Sequence, residues 1–228
     1  MASWTQVKNI LKSLPLIREC LTHFRGRGDQ FTTSSDYWEQ RYKTGGNSGA
    51  GSYNRLAEFK ANFLNRFVIE HEIRSVIEFG SGDGAQLKLA SYPSYTGVDI
   101  APKAVEMCRV LFSGDNSKRF LHWDEVIPGS IAELSLSLDV IYHLVEDRVF
   151  DDYMRRLFES SQRFVIVYSS NMDQDWPTKH VRHRQFTRWV EQNKPEWRHK
   201  STLKNAYPYD SQNPDETSFA DFYVFALR

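Results

Sequence analysis

The stretch Ser75–Gln86 reads SVIEFGSGDGAQ, and its residue types already limit the chemistry it can do. A short apolar run carries one acid, Glu78, and is followed by Gly80, Gly82 and Gly84 with polar residues between them. Alternate glycines bare the backbone, so a flat ligand can approach the main chain, and the N-terminus of a following helix adds partial positive charge. Further along, Asp99 lies within "YTGVDI" and Asp124 follows "RFLHW", each an acid at the end of an apolar run. A carboxylate offers two acceptors to a diol and attracts a cation. His143, His180 and His183 add imidazoles that, when neutral, accept a proton near pH 7.

These groups need a scaffold, and the hydrophobic pattern supplies one. "SVIEF", "YTGVDI", "RFLHW", "LSLDVIYHL" and "RFVIVYSS" read as strands, with two further strands in "WRHKSTL" and "SFADFYVFAL". Between them "AQLKLAS", "APKAVEMCRVLF", "DRVFDDYMRRLFESS" and "HVRHRQFTRWVEQN" read as helices, the second with Pro102 in its first turn and the third capped by Asp147. Alternation of this kind predicts an α/β fold, a doubly wound, mostly parallel seven-stranded sheet. Ligands of such sheets sit beyond the carboxyl ends of the strands, and Glu78 to Gly84, Asp99, Asp124 and His143 all fall there. Residues 1–70 form a helical lid and residues 71–228 the core. Within the lid, residues 4–30 read as an amphipathic helix followed by the polar connector RGRGDQ, and Ser35 or Asp36 caps a short helix. "GGNSGAGS" is too glycine-rich for regular structure. Leu56, Phe59, Phe63, Leu64, Phe67 and Val68 mark one buried helix face.

Composition excludes several classes. Lys plus Arg and Asp plus Glu each number 29, which argues against a nucleic-acid partner. The two cysteines form neither a disulfide framework nor a zinc pattern. The absence of a long apolar run or signal peptide points to a cytoplasmic chain without membrane contact.

Two cofactor classes fit the glycine turn. Gly80-x-Gly82-x-x-Ala85 formally matches a dinucleotide fingerprint, with Asp99 as the ribose acid. The ordered set Glu78, Gly80, Gly82, Asp99 and Asp124 instead resembles the class I S-adenosylmethionine-dependent methyltransferases, over roughly residues 74–170. Charge favours the second: Glu78 and Asp83 beside a pyrophosphate would repel it, whereas beside a sulfonium amino acid they attract. The resemblance implies that Gly80 and Gly82 pack under the methionine and ribose portions. Glu78 would hold the amino acid part, Asp99 the ribose hydroxyls, and Asp124 with Trp123 and Ile100 the adenine. The block "YWEQRY…GGNSGAGSYNR" resembles methyltransferases of small molecules and sugars. There Trp38, Tyr42, Tyr53 and Arg55 would line the lid, and Arg55 or Arg41 would pair with the methionine carboxylate.

The implied reaction is methyl transfer by direct displacement onto a small-molecule or glycan acceptor, a sugar hydroxyl first, leaving S-adenosylhomocysteine. His143 is the first candidate base, with His180 and His183 next. A divalent metal is a lesser alternative; His143, His180 and His183, with Asp173 or Asp175, are a weak donor set. The rivals are a dinucleotide-dependent oxidoreductase and a non-catalytic S-adenosylmethionine-binding scaffold.

Overall fold

The structure, a computed structural model, describes residues 31–127, 129 and 131–228. The helix expected over residues 4–30 lies outside the described residues. Seven strands form one sheet: β1 (Val76–Phe79), β2 (Tyr95–Asp99), β3 (Lys118–His122), β4 (Ala132–Leu138), β5 (Ser161–Ser169), β6 (Trp197–Leu203) and β7 (Asp221–Leu227). Their order is β3-β2-β1-β4-β5-β7-β6. The first five are mutually parallel, and β7 runs antiparallel between β5 and β6. This is the doubly wound, mostly parallel sheet that the sequence predicts. The chain steps outward from β1 through β2 to β3, then returns to place β4 on the other side of β1. That reversal opens a crevice at the carboxyl ends of β1 and β4.

Among the described residues five α-helices accompany the sheet: α1 (Ser34–Lys43), α2 (Asn54–Glu70), α3 (Pro102–Leu111), α4 (Asp147–Glu159) and α5 (Phe186–Asn193). Successive side chains of a strand face opposite sides, and β5 shows the consequence. Ile166 and Tyr168 join Leu64, Phe67 and Val68 of α2 in one core cluster. Val165 and Val167 join Met154, Leu157 and Phe158 of α4 and Phe186 of α5 in another. Phe150, Tyr153, Met154, Leu157 and Phe158 recur at i, i+3, i+4, i+7 and i+8, so one side of α4 is buried throughout. Each fully buried large side chain of this kind contributes about 1.5–3 kcal/mol. Residues 54–70 thus pack as part of the same core as the sheet.

Four local readings are corrected. Asp147 is the first residue of α4, not its cap; Glu146 holds the cap position. The α1 cap is Thr33, whose hydroxyl accepts from Asp36 N at 3.1 Å, rather than Ser35 or Asp36. Strand β4 ends at Leu138, because Asp139 takes a left-handed φ of +60° and turns the chain into a short 3-10 helix, Ile141–His143. His143 therefore sits one turn beyond the strand. The "HVRHR" part of the fifth helical segment is not helical; the helix starts at Phe186. Its polar groups are spent along the β4–α4 connection instead: Arg182 N donates to Tyr142 O at 2.8 Å, and the Arg184 guanidinium to Val145 O at 2.7 Å.

Candidate cofactor and active site

The crevice beside β1 and β4 is a cavity of about 740 Å³, a size that suits a nucleoside-bearing cofactor. Its floor is the turn after β1. Gly80 and Gly82 adopt φ of +86° and +57°, which side chains resist. The space each lacks is used by protein: a Cβ on Gly80 would stand 2.4 Å from Val140 Cγ2, and one on Gly82 would stand 2.3 Å from Ser48 Oγ. The glycines therefore let the β4 exit and the loop before α2 close onto the turn. A directly approaching ligand is only part of their purpose.

Asp99, 7% exposed at the end of β2, fixes the turn from the other side. Its Oδ2 accepts from Gly82 N at 2.8 Å and its Oδ1 from Ala101 N at 2.9 Å. Burial pushes its carboxyl up, and these backbone donors pull it back only in part. Each oxygen keeps a further lone pair for a ligand hydroxyl. Glu78, 4% exposed, accepts from the Tyr95 hydroxyl at 2.6 Å. Burial raises its carboxyl to about 7, against the pull of Tyr95 and the Lys60 charge. Ile100 and Trp123 line the same cavity. Trp123 stacks on Tyr153 at 6.0 Å and carries the Arg156 guanidinium 4.3 Å above it. Trp38 lines the opposite wall, with His143 edge-on at 4.9 Å.

Three expected residues stay away from the cavity. Asp124 lies in the 3-10 turn Trp123–Glu125, where His122 and Glu125 form a capping box, and this turns its side chain outward to 81% exposure. Arg55 is held by Glu216, its Nε donating to the Glu216 carbonyl at 2.7 Å, and packs over Tyr207. Arg41 Nε donates to Asn47 O at 2.6 Å, bracing the loop rather than facing the cavity.

The three histidines also separate. His143 lines the cavity, donates from Nδ1 to His180 O at 3.0 Å, and is lowered by burial to about 4. It is neutral at pH 7, with Nε2 as its basic nitrogen. The His180 ring stacks on Tyr37 at 4.2 Å, and its centroid is 5.6 Å from that of His143, outside the cavity lining. His183, 4% exposed, bonds Ser170 Oγ through Nδ1 at 2.7 Å and sits among Trp176 and Phe219. Among the described residues, no group of three or more His, Cys, Asp or Glu is placed to hold a metal ion. No helix among them is long and apolar enough to cross a membrane.

The segment from Thr33 to Tyr53 roofs the cavity and is fastened at both ends. At one end Ser34 donates through N and Oγ to the Glu146 carboxylate at 2.9 and 2.6 Å. At the other, Asp83 Oδ2 accepts from Ser48 N at 2.9 Å and from the Tyr53 hydroxyl at 2.6 Å. Asp83 N completes the latch by donating to Ser48 Oγ at 2.9 Å. Burial pushes the Asp83 carboxyl up, but the donors from Tyr53, Ser48 and Ala85 outweigh it and leave it below the usual range. The sequence suggested a second acid for the cation; the structure gives Asp83 a clasp instead. Asp83→Ala removes these acceptors, each worth about 1.5–3 kcal/mol for a charged group. Amide exchange across Asn47–Gly51 should rise at least about tenfold in that variant. Unchanged protection by exchange mass spectrometry would show that the loop is held otherwise.

Lys60 and Asp139 were not singled out from the sequence, yet both line the cavity. Lys60, 1% exposed, donates from Nζ to Asp139 Oδ2 at 2.5 Å. The signal was present: Lys60 falls at i+4 from Leu56 and i−4 from Leu64, inside the apolar stripe of α2. Buried lysines are rare unless paired. The fit to S-adenosylmethionine can be tested on unspent groups. Ser81 Oγ and Gln86 Oε1 are buried without a hydrogen-bond partner among the described residues, and both residues line the cavity. Such groups take a partner from outside the chain, and a hydroxyl and an amide oxygen can accept from the ammonium of an amino acid.

No family model matches the chain, and no curated protein sequence matches it. Solved structures are similar to it. The N-methyltransferase NodS of Bradyrhizobium japonicum WM9, in complex with S-adenosyl-L-homocysteine, aligns with a TM-score of 0.64 at 14% identity, over 86% of this chain and 98% of that one. The magnesium protoporphyrin IX methyltransferase ChlM of Synechocystis PCC 6803, with bound S-adenosylhomocysteine, aligns at 0.59 and 14% identity, over 88% and 97%. The methyltransferase domain of bacterial CtHen1-C aligns at 0.58 and 18% identity, over 75% and 98%. The chain has the fold of the class I S-adenosylmethionine-dependent methyltransferases.

Proposed function

We propose that the protein is an S-adenosylmethionine-dependent methyltransferase acting on a hydroxyl of a small polar acceptor, a sugar or other glycan first. The observation that carries this reading is the acid-rimmed cavity at the sheet reversal. Glu78 and Asp99 flank the bare turn, and Ser81 and Gln86 hold unspent polar atoms beside it. A dinucleotide would bring its pyrophosphate against those carboxylates, whereas a sulfonium amino acid brings positive charge.

Asp99 would hold the ribose hydroxyls, and Ile100 and Trp123 would pack the adenine. Glu78 and Gln86 would hold the ammonium, and the Trp38 face would stand by the sulfonium. Bound there, the cofactor supplies an electrophilic methyl group. The chain's part is alignment and dryness, and well-oriented reactants gain up to about 7–11 kcal/mol. The segment from Thr33 to Tyr53 would serve as the lid, excluding water. His143 Nε2 would take the hydroxyl proton. Burial makes it a weak base, so the proton moves only as the new O–C bond forms. The rim residues Glu146, Arg148, Asp151, Asp152 and Arg155 mix both charges, which suits a hydroxyl-rich acceptor better than a polyanion. A cytoplasmic setting accords with this chemistry.

S-adenosylhomocysteine at about 100 times its dissociation constant should stabilise the fold by ~2.7 kcal/mol. For a chain of this size that raises Tm by roughly 5–10 °C. Thermal scans with S-adenosylhomocysteine and with NADH decide the matter: a shift with NADH alone would favour the oxidoreductase. Detection of S-adenosylhomocysteine with a panel of glycans separates an enzyme from a binding scaffold.

A further inference from the structure

The buried ammonium of Lys60 is underused. It carries three donors, but its hydrogen bonding among the described residues is a single contact, to Asp139 Oδ2 at 2.5 Å. The Tyr168 ring lies 5.3 Å away and accepts no conventional hydrogen bond. Burying such a pair costs several kcal/mol of desolvation, which the attraction between the two charges repays only when the remaining donors are satisfied. Here they are not, and the spare donors belong to a residue that lines the cavity.

Its neighbours define what would satisfy it. Glu78 lies near enough for the Lys60 charge to lower its carboxyl. Gln86, with an orphaned amide oxygen, lines the same cavity. A cation beside an acid and a free carbonyl-type acceptor is the complement of a zwitterion. The arginines that sequence reasoning offered for a carboxylate, Arg55 and Arg41, are occupied elsewhere. Asp139 meanwhile is held as a competitor. Its φ of +60° is strained for a non-glycine residue, and the Tyr142 hydroxyl donates to its Oδ1 at 2.9 Å. Gly51 lies so close that a Cβ there would be 2.6 Å from Asp139 Oδ2.

We propose that Lys60 is the anchor for the carboxylate of a bound α-amino acid moiety, and that Asp139 competes with that carboxylate for the same ammonium. This rests on the cofactor reading above and names a residue for its zwitterionic end. Asp139 holds Lys60 Nζ in position beside the cavity before the ligand arrives, and its grip sets how much affinity the carboxylate can gain.

The test compares S-adenosylhomocysteine with its decarboxylated analogue, which keeps the amine, by isothermal titration calorimetry. Lys60→Met should weaken S-adenosylhomocysteine about 10- to 100-fold, the range for one charged hydrogen bond, and leave the analogue within about twofold. Asp139→Asn should tighten S-adenosylhomocysteine and not the analogue; asparagine tolerates the left-handed backbone, so this arm stands even if Lys60→Met fails to fold. Equal weakening of both ligands by Lys60→Met, or unchanged or weaker S-adenosylhomocysteine binding by Asp139→Asn, overturns the proposal. If the wild-type protein binds neither ligand, the cofactor reading itself falls, and the anchor with it.

Discussion

Asp99→Ala should bind S-adenosylhomocysteine at least about 100-fold more weakly than the wild type, and its melting temperature should no longer respond to the ligand. Two effects combine. On the proposed reading the ribose loses a charged acceptor for its hydroxyls, worth about 1.5–3 kcal/mol for each hydrogen bond to a charged group. The glycine turn loses the carboxylate that accepts from Gly82 N and Ala101 N. Each stranded backbone donor costs about 1–3 kcal/mol, so the ligand-free protein should also melt earlier. Asp99→Asn separates the two: its amide oxygen keeps one backbone donor satisfied, so it should recover part of the lost stability and little of the affinity. Calorimetric titration beside thermal scans measures both. An Asp99→Ala protein that still binds at wild-type affinity would place the ribose elsewhere.

Glu78→Gln should move stability and binding in opposite directions. The folded protein holds the Glu78 carboxyl at about 7 through burial, against an ordinary value of 4.5. A proton held more tightly by the folded state means that stability falls as pH rises from about 4.5 to 7, and the loss is complete above that. The shift corresponds to about 3 kcal/mol. Glutamine does not titrate and can still accept from Tyr95. The ligand-free variant should therefore be more stable than wild type at pH 8 by up to about 3 kcal/mol, or roughly 6–12 °C, and nearly equal to it at pH 5. The gain induced by S-adenosylhomocysteine should shrink, because the ammonium loses its anionic partner. Parallel pH dependence in the two proteins would mean that Glu78 is not the buried acid described here.

Much of this was legible beforehand. The strand–turn–strand pattern around Glu78, Gly80, Gly82 and Asp99 depends on local chemistry, so the sequence shows it directly. The seven strands follow for the same reason, through apolar runs bounded by turn residues. What was hidden depends on distant partners. "HVRHR" has helical composition, but its backbone and guanidinium groups bond the connection after β4, which lies 37 to 40 residues earlier in the chain. Asp124 is the local exception: it ends the third apolar run, yet the capping box of its neighbours His122 and Glu125 turns it to solvent. Asp83 looked like a ligand-facing acid until Ser48 and Tyr53, about 30 positions away, claimed it. Lys60 was readable from spacing alone, because a charged residue within an apolar stripe is the anomaly that helix periodicity exposes.

The double fastening of the roof, through Glu146 at one end and Asp83 at the other, bears on traffic. That segment lifts from the cavity only after one of those hydrogen-bond clusters ruptures. If exchange of a bound ligand proceeds by such lifting, its rate should quicken steeply on warming, as unfolding does.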